Sequence, residues 1–163
     1  MSANRRSPTP PAINTTDLTA RTGSGYPAPF RDAMNGRVKR VIGDALGLTN
    51  FGVNLVHLAP GAWSSQRHWH TREDEMIYVL EGEVTLITDA GEQVLEPGMA
   101  AGFPAGKPDG HHLVNRSDKV AVFLEMGDRK DDDEAFYSDI DMELRLVEGR
   151  NVYVHKNGEP WER

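Results

Sequence analysis

The feature that most constrains the fold is a succession of short apolar segments, separated by turns, that begins near Arg37. Phe51, Val53 and Leu55 occupy alternate positions, as the side chains on one face of a strand do. Glycine and proline turn signals such as Pro97-Gly98 recur roughly every 8 to 12 residues. A sustained helical period is absent from this region of the sequence. The pattern predicts an all-β sandwich or barrel.

The chain has 163 residues, which is the length of about one domain. Residues 1–30 form a proline-rich arm with too few apolar side chains to fold alone, so the arm is either disordered or lies along the surface of a partner subunit. Residues 31–127 hold the predicted barrel strands. Residues 128–163 form an acidic loop and a C-terminal strand extension, and we interpret the charged run at 128–134 as a solvated loop.

Composition excludes several classes of protein and site. Cysteine is absent, so a disulfide scaffold, a cysteine zinc site, an iron–sulfur cluster and a cysteine nucleophile are excluded. The 18 basic residues are outnumbered by 25 acidic ones, for a net charge of −7, which argues against nucleic acid and anionic membranes as partners. The longest apolar runs, such as residues 120–124, fall far short of the roughly 20 residues of a membrane helix. We expect a cytoplasmic location.

A His-x-His segment carries the clearest chemical signal. On a strand, the side chains of His68 and His70 point the same way with Cα atoms roughly 6.5–7 Å apart, so both imidazoles can reach one ion. Glu75 follows after a short turn, and its position in the next predicted strand matches the parity of Ile77 and Val79. Two imidazoles and a carboxylate are a common ligand set for a first-row divalent metal.

A second histidine-bearing segment lies between Gly98 and Asn115. It presents His111 and His112 after an approach rich in glycine and proline. Four of the six histidines in the chain fall in these two segments. A third histidine on a later strand strengthens the prediction of a metal site. His57 shares a face with apolar residues and is interpreted as a core or rim histidine rather than a further ligand.

The two segments resemble the two sequence motifs of the cupin superfamily. The matching patterns are Gly61…His68-x-His70-x4-Glu75-x6-Gly82 and Gly98-x5-Pro104-x-Gly106…His111-x3-Asn115. The resemblance implies a double-stranded β-helix, which is a jelly-roll barrel. It also implies a divalent metal inside the barrel on His68, His70, Glu75 and His111, with Asn115 in a structural role. Zinc, manganese, iron and nickel all remain candidates. Small cupins are often dimers, so we expect a homodimer.

The second motif departs from the family pattern, because the stretch between its glycine and its histidine is longer here. This leaves His111 and His112 as alternative ligands, and His111 is preferred because it alone gives His-x3-Asn. Glu73 or Asp74 is the alternative to Glu75 as carboxylate ligand. The alternative to a metal site is a cupin that keeps the histidines but binds metal weakly or not at all.

The chain resembles small bacterial cupins described as sugar-phosphate isomerase-like, which favours an isomerase acting on a small oxygenated substrate such as a sugar phosphate. The metal would stabilise an enediolate, and a base would move a proton between adjacent carbons. His57, His112 or a carboxylate that the sequence does not identify are the candidates for the base. Arg67, Lys107 and Arg116 flank the motifs and are the candidates for binding a phosphate.

Two other functions stay open at this stage, since a fold does not determine an activity. An Fe(II)-dependent dioxygenase would use the same ligands. A non-catalytic, small-ligand-binding cupin would use the metal to hold a small anion or to stiffen the barrel. In all three cases the predicted partner is a small molecule inside the barrel.

Overall fold

The structure is a computed structural model and describes residues 9–162. Within that range the chain is built almost entirely of short β-strands. In chain order they are β1 (Arg21–Thr22), β2 (Arg37–Val41), β3 (Phe51–Leu58), β4 (His68–His70), β5 (Glu75–Glu81), β6 (Val84–Thr88), β7 (Gly91–Leu95), β8 (Ala100–Phe103), β9 (His112–Val114), β10 (Ala121–Asp128), β11 (Ala135–Tyr137), β12 (Glu143–Val147) and β13 (Arg150–Val154). The helical elements are α1 (Ile42–Ala45) and two 3-10 turns, Thr15–Asp17 and Asp32–Met34.

The strands form three antiparallel sheets. The largest has the order β1-β2-β3-β10-β5-β8, and the smaller ones have the orders β13-β12-β11-β4 and β7-β6-β9. A bridge between His68 and His111 connects the two smaller sheets. The apolar core contains residues of the six-stranded and the three-stranded sheet, which therefore face each other. The all-β jelly-roll barrel predicted from the sequence is confirmed.

Strand β3 shows how alternation sets the barrel interior. Val56 and Leu58 are fully buried, so the even-numbered positions of β3 face inward. His57 and the exposed Phe51 lie on the outer face. Strand β10 runs between β3 and β5 and places Phe123 opposite both Val56 and a residue of β5. The core cluster consists of Val56, Leu58, Ala62, Ile77, Val79, Val84, Leu86, Leu95, Leu113, Ala121 and Phe123.

The C-terminal strands continue the sheet that contains the His-x-His segment. Strand β11 pairs directly with β4, and β12 and β13 follow it. A second apolar cluster forms under this sheet around the buried Tyr137 and Met142. Tyr26 and Phe30, from the predicted N-terminal arm, pack against that cluster in the same chain. Residues 1–8 of the arm lie outside the described residues, and the domain boundaries at residues 30 and 127 stay predictions.

Gly82 makes the turn between β5 and β6. Its backbone has a φ of +69°, in the left-handed region that side chains disfavour. A Cβ at this position would lie 2.8 Å from the backbone oxygen of Val120, so the turn has no room for a side chain. Among residues 9–162, no helix has both the length and the apolar character needed to cross a membrane.

Candidate metal centre

Strand β4 positions two of the predicted ligands. His68 and His70 lie on the same side of the strand, with ring centroids 4.9 Å apart. Trp69 points to the other side and stacks on Phe136 of the neighbouring strand β11, at 4.8 Å between centroids. Strand alternation therefore produces the pair of imidazoles that the sequence predicts.

Glu75, at the start of β5, lies at the centre of a histidine cluster. Its Oε2 atom is 3.0 Å from Nε2 of His111, 3.5 Å from Nε2 of His70 and 3.9 Å from Nε2 of His68. The structure thus brings together all four residues that the cupin resemblance implies as ligands. Ligand atoms of His68, His70 and Glu75 lie within 4.8 Å of one another, close enough for all three to reach a single ion.

The Nδ1 atoms of two of these histidines are hydrogen-bonded to other residues. Nδ1 of His68 donates a hydrogen bond to the backbone oxygen of Gln66 at 2.8 Å. Nδ1 of His70 donates to Oδ2 of Asp133 at 2.5 Å. A neutral imidazole carries one proton, so both hydrogen bonds leave Nε2 with a free lone pair directed at Glu75. This is the tautomer that a metal ion requires from each ring.

His111 is held differently. Its ring stacks on Phe103 with centroids 3.5 Å apart and planes almost parallel. Its Nε2 donates to Glu75, while its Nδ1 is buried and lacks a hydrogen-bond partner among residues 9–162. Displacement of the Nε2 proton by a metal ion would turn His111 into a third nitrogen ligand. Because no partner fixes Nδ1 within that range, the ring is free to change tautomer when an ion binds.

The charge states of the cluster also suit a divalent cation. Burial lowers the pKa of His68 to about 4, so this ring is neutral near pH 7. Burial opposes ionisation of Glu75, but the hydrogen bond from His111 and the surrounding imidazoles outweigh it and lower the pKa of Glu75 to about 2. A carboxylate and neutral imidazoles are the forms that bind a divalent metal. The residues present therefore fit such an ion.

Asp133 supports the cluster from behind His70. It is only 7% exposed, and its Oδ1 accepts hydrogen bonds from the backbone nitrogens of Arg72 (2.8 Å) and Glu73 (3.2 Å) and from the Thr71 hydroxyl (3.3 Å). A carboxylate behind a metal-binding histidine fixes its tautomer and orientation. The sequence predicts a solvated loop for 128–134, and Asp133 is a buried exception within that run.

The cluster lies between two cavities. The larger, of about 180 Å³, lies inside the barrel, and the smaller, of about 30 Å³, has room for little more than water. Glu75, Phe103 and His111 line both. The larger cavity is also lined by polar residues that the sequence does not single out, namely Tyr26, Arg37, Lys39, Ser64, Ser65 and Glu125.

The two histidines predicted as possible bases lie away from both cavities. His57 is on the outer face of β3, and burial lowers its pKa. His112, the alternative to His111, donates from Nδ1 to the backbone oxygen of Ser65 at 3.1 Å and packs against Trp63. His111, and not His112, is therefore the member of the second motif that joins the cluster around Glu75.

The predicted phosphate-binding residues are also dispersed. Arg67 is ion-paired with Asp89 and Asp139, the latter at 2.7 Å. Arg116 makes two hydrogen bonds to Glu92 on the surface. Lys107 is the member of the set that lines the smaller cavity.

The alternative carboxylate ligands have other roles in the structure. Glu73 lines the smaller cavity and accepts a hydrogen bond from the backbone nitrogen of Lys130 at 2.8 Å. Oδ1 of Asp74 accepts one from the backbone nitrogen of Ala105 at 2.7 Å. Glu75 is the acidic residue of this segment that contacts all three histidines.

Known proteins share this fold and its motifs. The model of the cupin domain family matches residues 54–127. A sugar phosphate isomerase of the cupin superfamily from Silicibacter pomeroyi is 44% identical, with a TM-score of 0.89 over 93% of this chain and 97% of that one. A protein from Acidithiobacillus ferrooxidans, to which the same activity is provisionally ascribed, is 31% identical with a TM-score of 0.70 over 78% and 81% of the two chains.

More distant similarity concerns the fold alone. The polyketide cyclase RemF from Streptomyces resistomycificus is 21% identical, with a TM-score of 0.58 over 73% of this chain and 79% of that one. No functionally curated protein matches the chain. The family match, the close structural similarity to the Silicibacter protein and the barrel itself agree, and the chain belongs to the cupin superfamily.

Proposed function

We propose that this cupin is a metal-dependent isomerase that acts on a small phosphorylated sugar inside its barrel. The observation that carries the proposal is the convergence of three imidazole nitrogens on one carboxylate oxygen at the wall of an internal cavity. Similarity to the Silicibacter protein, which is named a sugar phosphate isomerase, supports the same reaction class.

The size of the cavity favours a small substrate. Its volume of about 180 Å³ is below the roughly 300–1,000 Å³ of pockets that hold drug-sized ligands. Ile77, Leu113 and Phe123 form an apolar part of its wall, and Arg37, Lys39 and Glu125 are charged lining residues outside the histidine cluster. A short, oxygen-rich molecule with one charged end fits this division.

His68, His70, Glu75 and His111 would hold the divalent ion, which when bound supplies Lewis-acid stabilisation of negative charge on a substrate oxygen. The surrounding residues hold these side chains in place. Gln66 and Asp133 fix the tautomers of two histidines, and Phe103 fixes the ring plane of His111. The apolar wall formed by Ile77, Leu113 and Phe123 lowers the local dielectric constant, which strengthens electrostatic interactions in the cavity.

Glu125 on β10 is our candidate for the base. It is a carboxylate of the larger cavity that lies outside the histidine cluster. Its Oε1 accepts hydrogen bonds from Lys39 (2.6 Å) and Asn54 (3.1 Å), while its Oε2 accepts none from the described part of the chain. In the proposed reaction Oε2 takes a proton from one substrate carbon, exchanges it with solvent and delivers a proton to the adjacent carbon, while the proton of the substrate hydroxyl passes to the former carbonyl oxygen.

Proton transfer of this kind can be measured by exchange with solvent deuterium across a panel of candidate substrates. Metal-loaded protein is incubated in D₂O with triose, tetrose, pentose and hexose phosphates, and deuterium at the carbons next to the carbonyl is followed by NMR. We expect incorporation for at least one member. Glu125→Gln should slow it by about 100-fold or more, and Glu143→Gln, on the C-terminal sheet, serves as the matched control.

One outcome would contradict the proposed activity, and another would contradict the assigned base. If protein with a stoichiometric divalent ion incorporates no deuterium into any member of the panel, the isomerase proposal fails. If incorporation occurs equally in Glu125→Gln, the base is a different group.

A further inference from the structure

We propose that Arg37 and Lys39 form the subsite that binds the phosphoryl group of the substrate, within the cavity that the histidine cluster borders. This inference rests on the proposed function and assigns the charged end of its substrate. The sequence-based candidates for phosphate binding are Arg67, Lys107 and Arg116. The residues proposed instead belong to strand β2 and lie outside both sequence motifs.

Strand alternation directs both cations into the barrel. Arg37 pairs in register with Leu58, and Lys39 with Val56. Leu58 and Val56 are fully buried in the core, so Arg37 and Lys39 lie on the same inward-facing side of the sheet. Both side chains line the larger cavity together with His68, Glu75 and His111.

Arg37 donates its hydrogen bonds to neutral backbone oxygens. Its Nη1 donates to the backbone oxygen of Ser64 at 2.5 Å, and its Nη2 donates to the backbone oxygen of Gly23 at 2.7 Å. Its Nε is buried and has no partner among residues 9–162, and within that range Arg37 forms no salt bridge. A guanidinium stays charged in proteins, so an oxyanion in the cavity would supply the missing counter-charge.

Lys39 adds a second cation. Its Nζ is 2.6 Å from Oε1 of Glu125, which Asn54 also contacts. Glu75, the other carboxylate of the cavity, is hydrogen-bonded within the histidine cluster. Tyr26, which lines the same wall, stays a neutral hydroxyl because burial raises its pKa. Two cations with one nearby carboxylate leave this part of the cavity positively charged.

Arg67 and Arg116, which flank the motifs in sequence, are both neutralised by carboxylates. The Arg67 and Arg116 guanidiniums are each hydrogen-bonded to both oxygens of a carboxylate, that of Asp139 and that of Glu92 respectively. A guanidinium bound in this way has its charge neutralised and its paired donors occupied. A phosphate monoester, with a charge near −2 at pH 7, is better matched by Arg37 and Lys39 together.

Calorimetric titration with inorganic phosphate tests the subsite, on both metal-free and metal-loaded full-length protein. We expect Arg37→Met to weaken phosphate binding by about tenfold or more, and Lys39→Met by several-fold. Glu125→Gln should tighten it by several-fold, because the carboxylate that competes for Lys39 is removed. Arg40→Met, on the outward side of the same strand, is the matched control and should change it by less than about twofold.

Arg37 also donates hydrogen bonds to two backbone oxygens, so Arg37→Met could fail to fold. In that case phosphate binding by Lys39→Met and Glu125→Gln tests the subsite. The tightening in Glu125→Gln is a change that structural damage would not produce. Absence of phosphate binding to wild-type protein, binding that depends on the metal alone, or loss of binding in Lys107→Met rather than Arg37→Met would each overturn the subsite. Tighter binding of acetate than of phosphate would overturn the phosphoryl assignment.

The subsite and the proposed activity can fail separately. If phosphate binding depends on Arg37 while no sugar phosphate takes up deuterium, the subsite holds and the isomerase activity is wrong. If deuterium is incorporated at the same rate in wild type and in Arg37→Met, with an unchanged KM, the activity holds and the subsite is wrong.

Discussion

Asp133 and His70 are 63 positions apart in the sequence, yet Oδ2 of Asp133 accepts a hydrogen bond from Nδ1 of His70 at 2.5 Å. The contact exists because β11 pairs with β4 and brings the acidic segment before β11 against the His-x-His strand. The carboxylate selects the His70 tautomer whose free nitrogen faces Glu75. We infer that a residue of the C-terminal region sets the metal affinity of the barrel.

Replacement of Asp133 should therefore weaken metal binding although Asp133 is not itself a proposed ligand. Asp133→Asn should lower the affinity for Zn²⁺ by about 10–100-fold, the range typical of groups that orient metal-binding histidines. Competition with a chromophoric chelator measures the affinity. The matched control is Asp132→Asn, since Asp132 is exposed and pairs with Arg72 on the surface. Equal affinities of the two variants would contradict the orienting role.

The two adjacent histidines of the second motif should respond differently to substitution. His111 contacts Glu75, whereas His112 contacts Ser65 and Trp63. We expect His111→Ala to lose most of the bound metal and His112→Ala to keep it. His112→Ala should instead lower the free energy of unfolding by about 1–3 kcal/mol, because it removes a buried ring and its hydrogen bond. Metal loss in His112→Ala alone would reverse the assignment.

Acid should destabilise the metal-free protein through His68. Burial lowers the pKa of His68 from its ordinary 6.5 to about 4, so between these pH values the unfolded chain binds a proton that the folded protein does not. The free energy of unfolding should therefore fall as the pH drops from 6.5 to 4, by up to about 3 kcal/mol. Burial alone would lower the pKa of His70, but the nearby Asp133 and Glu75 carboxylates outweigh burial and raise this pKa. Protonation of His70 therefore partly offsets the loss of stability caused by His68.

Urea denaturation at pH 7 and pH 5 measures this effect. The difference in the free energy of unfolding between the two pH values should be smaller in His68→Gln than in wild-type protein. An identical difference in both proteins would show that His68 is not the group responsible.

The turn at Gly82 should tolerate no side chain. Gly82→Ala places a Cβ 2.8 Å from the Val120 oxygen at a φ of +69°, and we expect it to lower the free energy of unfolding by about 2–4 kcal/mol. Gly98→Ala is the matched control, because Gly98 also has a positive φ but nothing lies within 4 Å of its Cβ position. Urea denaturation compares them, and a loss in Gly98→Ala as large as in Gly82→Ala would exclude the close contact as the cause.

The barrel and the histidine cluster were predictable because both depend on local patterns. Strand alternation places His68 and His70 on one side, and the spacing of the motif places Glu75 at the start of the next strand. Asp133 was not predictable, since its contact depends on the pairing of β4 with a strand more than 60 residues later. No spacing rule connects these two segments.

The residues that line the larger cavity could not be predicted from the sequence for a different reason. The basic segment containing Arg37 and Lys39 has the composition of a surface strand, and Glu125 lies in a segment that is otherwise apolar. The inward direction of Arg37 and Lys39 follows from their register with Leu58 and Val56, and that of Glu125 follows from its pairing with Asn54. Arg67, in contrast, is adjacent to the first motif, but carboxylates of Asp89 and Asp139 hold it away from the cluster. The homodimer expected from the family resemblance stays a prediction.

The central claim is that His68, His70, Glu75 and His111 hold one divalent metal ion, and metal content by mass spectrometry tests it most directly. The measurement is made on untagged wild-type protein and on Glu75→Ala and His111→Ala. We predict about one divalent ion per chain in the wild type and a large loss in both variants. Wild-type protein that contains no metal and takes none up on reconstitution would contradict the claim, as would full metal content in both variants.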